Sequence, residues 1–323
     1  MAWRPDTYAL YMTDSENGAG SAASGAASPA SRTSLATGIG RLADLRSRHV
    51  PIVMLTAYDY PSARIAELGG ADIILVGDSA AMTVLGYSST REISADELIM
   101  LARAARRGAH DTLILGDLPF GTYETSDAQA LGTARRFMRE AGCDAVKLEG
   151  AGPLLSRVRA IVADGIPVVG HVGLLPQSVT NARDYRAKGR DAEQALAIIH
   201  DAVELEIAGC SALVIEAVPA QIAGIITRRV HIPVIGIGAG ASASGQVLVY
   251  HDLLGFTEGR VPRFVKPYAT ARDTLVHAVQ EWSADVRARR FPSVEHTYPI
   301  ADDVLADVMA RLEAPHSNSK LDT

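Results

Sequence analysis

A repeated alternation of short apolar runs with amphipathic stretches constrains the fold of this chain more than any other feature. Each run is rich in Val, Ile and Leu and ends in small or polar residues, which is typical of parallel strands buried on both faces. We predict strands at Ile52–Ala57, Ile73–Val76, Leu113–Leu115, Ala145–Leu148, Pro167–Gly170, Ala212–Ile215, Pro233–Ile237 and the less apolar Arg263–Val265. The stretches between them predict helices over 61–69, 94–108, 126–141, 153–164, 191–208, 219–230 and 243–254.

Eight strands alternating with helices over roughly 220 residues indicate a (β/α)8 barrel, the TIM-barrel architecture. A doubly wound open sheet is the alternative, since the same alternation would fit it if the strand order reversed at one point. A faint internal repeat supports βα units. Glu140–Glu149 and Ile207–Glu216 share the order Ala-Gly-Cys, apolar run, Glu.

The regions that flank the barrel differ from it in composition. Residues 1–33 form a Gly/Ala/Ser-rich extension without periodicity, which predicts disorder. Residues 34–299 form the predicted catalytic barrel. Residues 300–323 form a short C-terminal extension, in which Val304, Val308 and Leu312 have helical spacing before a polar tail.

Composition excludes several classes of function. The net charge of −6 and the 5% aromatic content do not fit a general nucleic-acid binder. No apolar stretch is long enough to span a membrane, and Asp6, Asp14 and Glu16 interrupt any secretory signal. Cys143 and Cys210 each precede an apolar run, and we interpret them as buried, reduced thiols rather than a disulfide or a catalytic thiol. We therefore expect a cytoplasmic protein without nucleic-acid or membrane partners.

Charged and polar residues lie at the ends of five successive predicted strands, at the barrel end where such folds carry their chemistry. They are Asp78, Ser79, Asp117, Lys147, Glu149, His171 and Glu216. Taken singly, an Asp after a strand is more often a turn or capping residue, and a lone His is more often a core residue. Taken together, four acids, one lysine and one histidine on one rim would be too costly to bury unless a cation neutralised them.

The donor types indicate which cation. Carboxylates without a Cys or His cluster favour Mg²⁺, with Mn²⁺ or Co²⁺ as alternatives. Mg²⁺ commonly takes one or two carboxylates and leaves positions for water and substrate oxygens. This pattern indicates a small chelating substrate, such as a 2-oxo acid bound through its carboxylate and keto oxygens.

Several phrases at the strand ends resemble the ketopantoate hydroxymethyltransferase (3-methyl-2-oxobutanoate hydroxymethyltransferase) family in order and spacing. They are Val76–Ser79, Asp117–Phe120, Val146–Gly150, Gly170–Leu174, Pro176–Ser178, Glu216–Pro219, Pro233–Gly240 and Gly245–Val249. The resemblance implies a TIM barrel of the phosphoenolpyruvate/pyruvate type that forms a homo-oligomer, often a decamer. It also implies transfer of a hydroxymethyl group from 5,10-methylenetetrahydrofolate to 3-methyl-2-oxobutanoate, giving 2-dehydropantoate for pantothenate biosynthesis.

The resemblance assigns roles to the rim residues. Asp78 and Asp117 are the expected direct Mg²⁺ ligands, and Glu149 is expected to contact the metal through water. Glu216 is the expected general base that removes the C3 proton of the oxo acid. The oxo acid itself is expected to contact Asp78, Ser79, Asp117, Lys147 and His171.

Three further segments carry expectations. Ser244 stands where the family often has an acidic residue, and we expect its segment near the folate. The basic segment Asn181–Arg190 is either a solvated loop or a lid that attracts the glutamate tail of folate. Phe291–Tyr298 resembles the family's C-terminal segment and is expected near the mouth of the site.

Three other functions fit parts of the sequence. The first is a Mg²⁺-dependent C–C lyase, which would use a reactive loop cysteine. The second is a phosphate-binding barrel that uses Gly236–Gly240. The third is a non-catalytic oligomeric scaffold, which predicts a broken metal site.

Overall fold

Eight parallel strands close into a barrel in chain order in the computed structural model, which describes residues 35–181, 184–259 and 261–313. The strands are β1 Ile52–Thr56, β2 Ile73–Val76, β3 Leu113–Asp117, β4 Ala145–Glu149, β5 Val168–Gly173, β6 Ala212–Glu216, β7 Val234–Ile237 and β8 Gly245–Leu248. Pairing of β8 with β1 closes the barrel, which confirms the predicted (β/α)8 fold over the open sheet. The predicted extension 1–33 lies outside the described residues.

Helices surround the strands in the expected alternation. They are α1 Leu35–Ser47, α2 Tyr60–Leu68, α3 Ala80–Thr83, α4 Ala95–Gly108, α5 Asp127–Arg136, α6 Leu155–Ala163, α7 Ala192–Ile207, α8 Ala220–Arg229, α9 Tyr250–Leu254, α10 Ala271–Arg287 and α11 Asp302–Glu313. Helix α5 continues into one π-helical turn, Phe137–Ala141, so that the two together fill the predicted helix 126–141. Helix α11 confirms the helix predicted after residue 300.

Local capping explains why α4 starts where it does. The Ser94 hydroxyl accepts a hydrogen bond from the Glu97 amide, and the Glu97 carboxylate accepts one from the Ser94 amide, which forms a capping box. Arg106 and Arg107 in the last turn complement the helix dipole. The apolar face of α4, which includes Leu98, is buried in the layer between helices and strands.

The prediction of the eighth strand was wrong. Arg263–Val265 contains a turn, and β8 instead occupies Gly245–Leu248, within the stretch 243–254 that was predicted as helical. Only Tyr250–Leu254 of that stretch is helical. A side chain at Gly245 would place its Cβ 2.4 Å from the Ile52 carbonyl oxygen, so β8 approaches β1 more closely there than any other residue type allows.

The barrel interior has an apolar half and a charged half. Residues that face inward near the amino ends of the strands, including Ile52, Met54, Leu115 and Val214, form one apolar cluster. Leu42 of α1 is fully buried in the same cluster, so α1 covers this end of the barrel. The amino end of the barrel interior is therefore closed in the part of the chain that the structure describes.

The C-terminal helices pack differently from the rest. Within the described chain, neither α10 nor α11 has a buried residue. Helix α10 carries an exposed apolar stripe, Leu275, Val279, Trp282 and Val286. Tyr298 is also exposed, and the expected position of Phe291–Tyr298 near the mouth stays a prediction. No helix among the described residues has the length and apolar character needed to cross a membrane.

Candidate active site

The charged residues predicted at the strand ends converge inside the carboxyl end of the barrel. Side chains alternate between the two faces of a strand, so the residues that continue the inward-facing apolar positions upward also face inward. Strand register sets them side by side, because Asp117 pairs with Lys147 and Glu149 pairs with His171. The inward-facing set at this end is Asp117, Lys147, Glu149, His171 and Glu216.

Lys147 lies between two of the acids. Its Nζ is 2.7 Å from Oδ1 of Asp117 and 3.6 Å from Oε1 of Glu149, and the side chain is 4% exposed. Burial by itself lowers the pKa of Lys147, but the charges of Asp117 and Glu149 more than offset it, so the lysine remains protonated. The lysine that was expected to face the substrate is therefore also the counter-ion of the buried acids.

Asp78 follows β2 and lies against Asp117. Its backbone N–H donates to Oδ2 of Asp117 at 3.1 Å. Its own Oδ2 is buried without a hydrogen-bond partner among the described residues. Burial, and then the charges of Asp117 and Glu149, raise the pKa of Asp78 well above its ordinary value. An unpartnered carboxylate oxygen in this position is costly, and a bound cation would remove the cost.

His171 connects the buried acids to Glu216. Its Nδ1 lies 3.4 Å from Oε1 of Glu149 and its Nε2 lies 3.4 Å from Oε2 of Glu216. Burial lowers the pKa of His171, but the carboxylates at its two nitrogens more than offset this and raise it to about 9. The imidazole is thus positively charged near neutral pH and belongs to the site rather than to the apolar core. Glu216 is 16% exposed, compared with 2% for Glu149.

Sequence reasoning missed two buried polar residues that hold Glu149. The Gln177 amide N–H donates to Oε2 of Glu149 at 3.0 Å, and the Gln177 side chain donates to the Leu118 carbonyl oxygen at 3.1 Å. The Tyr123 hydroxyl donates to Oε1 of Gln177 at 2.7 Å. Gln177 stood in a phrase that resembles the family, but nothing in its spacing indicated which groups it would bond.

Tyr58 was also missed. Its hydroxyl lies 2.8 Å from Oγ of Ser79, and the ring is buried. Burial raises the pKa of Tyr58 to about 12, so the phenol stays neutral and able to donate or accept. Ser79, expected to contact the oxo acid, is therefore held by a partner from the end of β1.

The donor set fits a hard divalent cation. No group of three or more His, Cys, Asp and Glu side chains among the described residues is arranged to hold a metal by itself. Asp78 and Asp117 nevertheless meet in a buried place, with one carboxylate oxygen of Asp78 unpartnered. A pair of carboxylates suits Mg²⁺ in particular, because that ion commonly takes one or two carboxylates and completes its coordination with water and substrate oxygens.

Ser244 lies away from this site. Its hydroxyl oxygen accepts from the Val234 amide at 3.2 Å, and its carbonyl accepts from the Ile52 amide at 3.0 Å. Val234 and Ile52 begin β7 and β1, so Ser244 lies at the covered, amino end of the barrel. The link from β7 has returned to that end of the sheet, away from the acids, and the expectation that this segment lies near the folate stays a prediction.

Both cysteines are free and buried, as predicted. Cys143 and Cys210 precede β4 and β6, at the end of the barrel opposite the acids. Burial raises the pKa of each thiol to about 12, which leaves little reactive thiolate at neutral pH. Neither cysteine suits the reactive loop thiol that the lyase alternative requires.

The closed parallel barrel and the acids at its carboxyl end define a (β/α)8 protein, and the solved structures that share this fold include a member of the phosphoenolpyruvate mutase/isocitrate lyase superfamily. Phosphoenolpyruvate phosphomutase from Streptomyces platensis subsp. rosaceus superposes with a TM-score of 0.54 at 16% identity, covering 85% of this chain and 96% of that one. Phosphonopyruvate hydrolase in complex with oxalate and Mg²⁺ gives 0.53 at 13% identity, with coverage of 86% and 99%. 2,3-Dimethylmalate lyase, a member of that superfamily, gives 0.52 at 15% identity, with coverage of 85% and 95%. At these identities the likeness is one of fold.

Sequence comparison then identifies the family. The ketopantoate hydroxymethyltransferase model matches residues 37–294, and the chain belongs to that family. The chain is 50% identical over 253 residues to the 3-methyl-2-oxobutanoate hydroxymethyltransferase of Geobacillus kaustophilus (strain HTA426), covering 78% of this chain and 91% of the relative. It is 49% identical over 262 residues to the enzyme of the same name from Nitratidesulfovibrio vulgaris (strain DP4), covering 81% and 85%.

Proposed function

We propose that the protein is a 3-methyl-2-oxobutanoate hydroxymethyltransferase, as its relatives are named. It transfers a hydroxymethyl group from 5,10-methylenetetrahydrofolate to 3-methyl-2-oxobutanoate and forms 2-dehydropantoate, an intermediate for pantothenate. One observation supports this most strongly: buried Asp117 and Glu149 flank Lys147, buried Asp78 lies against Asp117, and half-buried Glu216 lies beside His171. The proposed catalytic unit spans 34–299.

The buried acids are the proposed Mg²⁺ site. Asp78 and Asp117 would bind the ion directly, and Glu149 would contact it through water. Such an ion, when bound, acts as a Lewis acid toward the oxygens of the oxo acid. Phosphonopyruvate hydrolase, which shares the fold, was solved in complex with oxalate and Mg²⁺, and this agrees with a two-oxygen acid and a magnesium ion as ligands of the proposed site.

Ser79, Lys147 and His171 are the proposed contacts of the oxo acid. An ammonium group has three donors, and the two acids beside Lys147 leave one of them for a substrate oxygen. The positive charge of His171 adds to the attraction for a substrate carboxylate. Tyr58 fixes the position from which the Ser79 hydroxyl can donate.

Glu216 is the proposed general base. It is the most exposed of the four acids, so its carboxylate can reach a substrate, while His171 at 3.4 Å restrains its orientation. Glu216 takes the proton from C3 of the oxo acid, and the electron pair of that C–H bond forms the new C–C bond to the methylene carbon of the folate. The two bonds between the methylene carbon and the folate nitrogens break, and water supplies the hydroxyl group. The proton from C3 and the second proton of water go to those two nitrogens as tetrahydrofolate leaves.

Deuterium exchange at C3 of 3-methyl-2-oxobutanoate tests this proposal without folate. We expect Mg²⁺-dependent exchange by the wild-type protein and a decrease of roughly 10²–10⁴-fold in Glu216→Gln, because the general base is lost. Proton NMR follows the exchange, and titration calorimetry checks that the variant still binds the oxo acid. Glu193→Gln, an exposed acid on α7, is the matched control.

Two results would contradict the proposal. Retained exchange in Glu216→Gln would assign the base elsewhere. Wild-type protein that exchanges C3 but forms no 2-dehydropantoate with 5,10-methylenetetrahydrofolate would rule out hydroxymethyl transfer while leaving enolisation of the oxo acid in place.

The family's homo-oligomer, with the decamer as one form, is also a proposal for this chain. The exposed apolar stripe on α10 supports it, because contiguous apolar surface on a helix is commonly buried between subunits. Native mass spectrometry of the full chain gives the subunit number directly.

A further inference from the structure

A groove with a volume of about 500 Å³ lies beside the carboxyl ends of β5 and β6, outside the cluster of buried acids. Its polar lining residues are Arg186, Lys188, Arg190 and Gln194. None of the described residues that line it is acidic, although the whole chain carries a net charge of −6. The groove is large enough for a small ligand, since ligand sites commonly measure about 300–1,000 Å³. Its charge selects an anion.

The segment that supplies these cations is anchored through its backbone. The Lys188 amide donates to the Ala217 carbonyl oxygen at 2.9 Å, and the Gly189 amide donates to Oε1 of Gln194 at 3.3 Å. Gly189 has a φ of +72°, and a Cβ there would lie 3.1 Å from Cδ1 of Ile198, so the chain lies close against α7. The side chains of the cations take no part in these anchors and are available to a ligand.

The same anchors place the groove next to Glu216. The carbonyl oxygen of Ala217 accepts the hydrogen bond from the Lys188 amide, and Ala217 directly follows Glu216 in the chain. Gly173, another lining residue, pairs with Glu216 across β5 and β6. Gly173 has a φ of +97°, and a Cβ there would lie 2.3 Å from the Glu216 carbonyl oxygen, so a side chain at this point would separate the two strands. One lining residue of the groove is therefore the strand neighbour of the residue proposed to act on C3.

The chemistry of the co-substrate matches this arrangement. A folate carries its reactive methylene group on the pterin ring and its carboxylates on the glutamate tail at the opposite end of the molecule. When the methylene carbon lies beside Glu216, the tail must leave the barrel across the rim. We propose that the tail crosses the rim through this groove, and that Arg186, Lys188 and Arg190 bind its carboxylates. This inference rests on the proposed function and assigns the anionic subsite of its folate.

The groove also suits a tail with more than one glutamate. Each added γ-linked residue adds one carboxylate, and the three basic residues occupy alternate positions in the sequence. Pairs between partly exposed groups contribute modestly and are screened by salt. Affinity should therefore rise with the number of glutamates at low salt, and the gain should shrink as ionic strength increases.

The test compares the mono- and triglutamate forms of 5,10-methylenetetrahydrofolate in steady-state kinetics on the full chain. We expect wild-type protein to have a lower KM for the triglutamate, and the triple variant Arg186→Ala/Lys188→Ala/Arg190→Ala to raise that KM roughly tenfold, as the sum of three exposed pairs. kcat and folate-independent C3 exchange should stay within twofold of wild type, since neither depends on the tail. The control Arg159→Ala/Arg229→Ala removes exposed charges from α6 and α8 and should change nothing.

Three outcomes would overturn the assignment. Equal KM values for the two folates in wild-type protein would show that the tail contributes nothing. A triple variant that keeps the wild-type preference for the triglutamate would place the tail elsewhere. An undiminished preference at high salt would exclude ion pairing as its cause. Failure of the proposed function gives a different result, because wild-type protein would then form no 2-dehydropantoate from either folate, whether or not it exchanges C3.

Discussion

The two ends of the barrel interior differ although the same strands build both. Toward the amino end, inward positions hold residues such as Met54 and Val214, and α1 covers them with Leu42. Toward the carboxyl end, the same alternate positions hold acids, a lysine and a histidine. Burial of the apolar half stabilises the barrel. This rigid framework holds the side chains of the charged half in place and away from water. The residues that stabilise the barrel and the residues of the candidate site therefore occupy successive inward-facing positions along the same strands.

Removing the buried ammonium group of Lys147 should have the largest effect on the stability of the charged half. Lys147→Met leaves Asp117 and Glu149 buried without their counter-ion, and we expect the free energy of unfolding to fall by about 3–5 kcal/mol. Urea denaturation of the metal-free protein measures it. A loss below about 1 kcal/mol would mean that the acids are stabilised by something other than the lysine.

Removing a buried side chain from the apolar half should lower stability without changing activity. Leu42→Ala removes a fully buried side chain, and we expect a loss of about 2–5 kcal/mol. Because α1 lies at the covered end, kcat and KM under native conditions should not change. Urea denaturation and initial rates on the same preparation measure both quantities. A change in kcat would show that the two halves are mechanically coupled.

The smallest predicted effect falls on the hydrogen bonds that hold Glu149. Tyr123→Phe removes the donor to Gln177 and should cost about 1 kcal/mol of stability. Outer partners of metal ligands commonly change affinity by roughly 10–100-fold, so the Mg²⁺ concentration for half-maximal C3 exchange should rise within that range. Tyr87→Phe, which removes a hydroxyl bonded to Glu97 outside the site, is the control. An unchanged Mg²⁺ requirement would confine Tyr123 to a structural role.

Strand positions were predictable where both faces of a strand are buried, because such a strand is a continuous apolar run in the local sequence. β8 was not, because Gly245–Leu248 is short and begins with glycine, and its Gln246 is exposed. What defines it is pairing with β1 at the far end of the chain, which no local window contains. The turn at Arg263–Val265 was predicted as a strand only because the alternation of strands and helices needed an eighth strand to complete a barrel.

The residues of the site were likewise predictable where they lie on strands and not predictable where they lie on loops. Alternation alone places Lys147 and Glu149 on one face of β4, and the structure has them 3.6 Å apart. Residues that approach from loops follow no such rule. Gln177 reaches Glu149 from the segment after β5, and Tyr123 reaches Gln177 from the segment after β3. These contacts depend on how two loops settle against each other, which strand periodicity does not determine.

The cover that α1 forms over the amino end has a consequence for the order of events. A barrel with one mouth must admit both reactants and release both products through it. In the proposed reaction the small oxo acid goes to the deep acids, while the folate remains at the rim beside Glu216. The oxo acid must then enter first, and 2-dehydropantoate must wait until tetrahydrofolate has left.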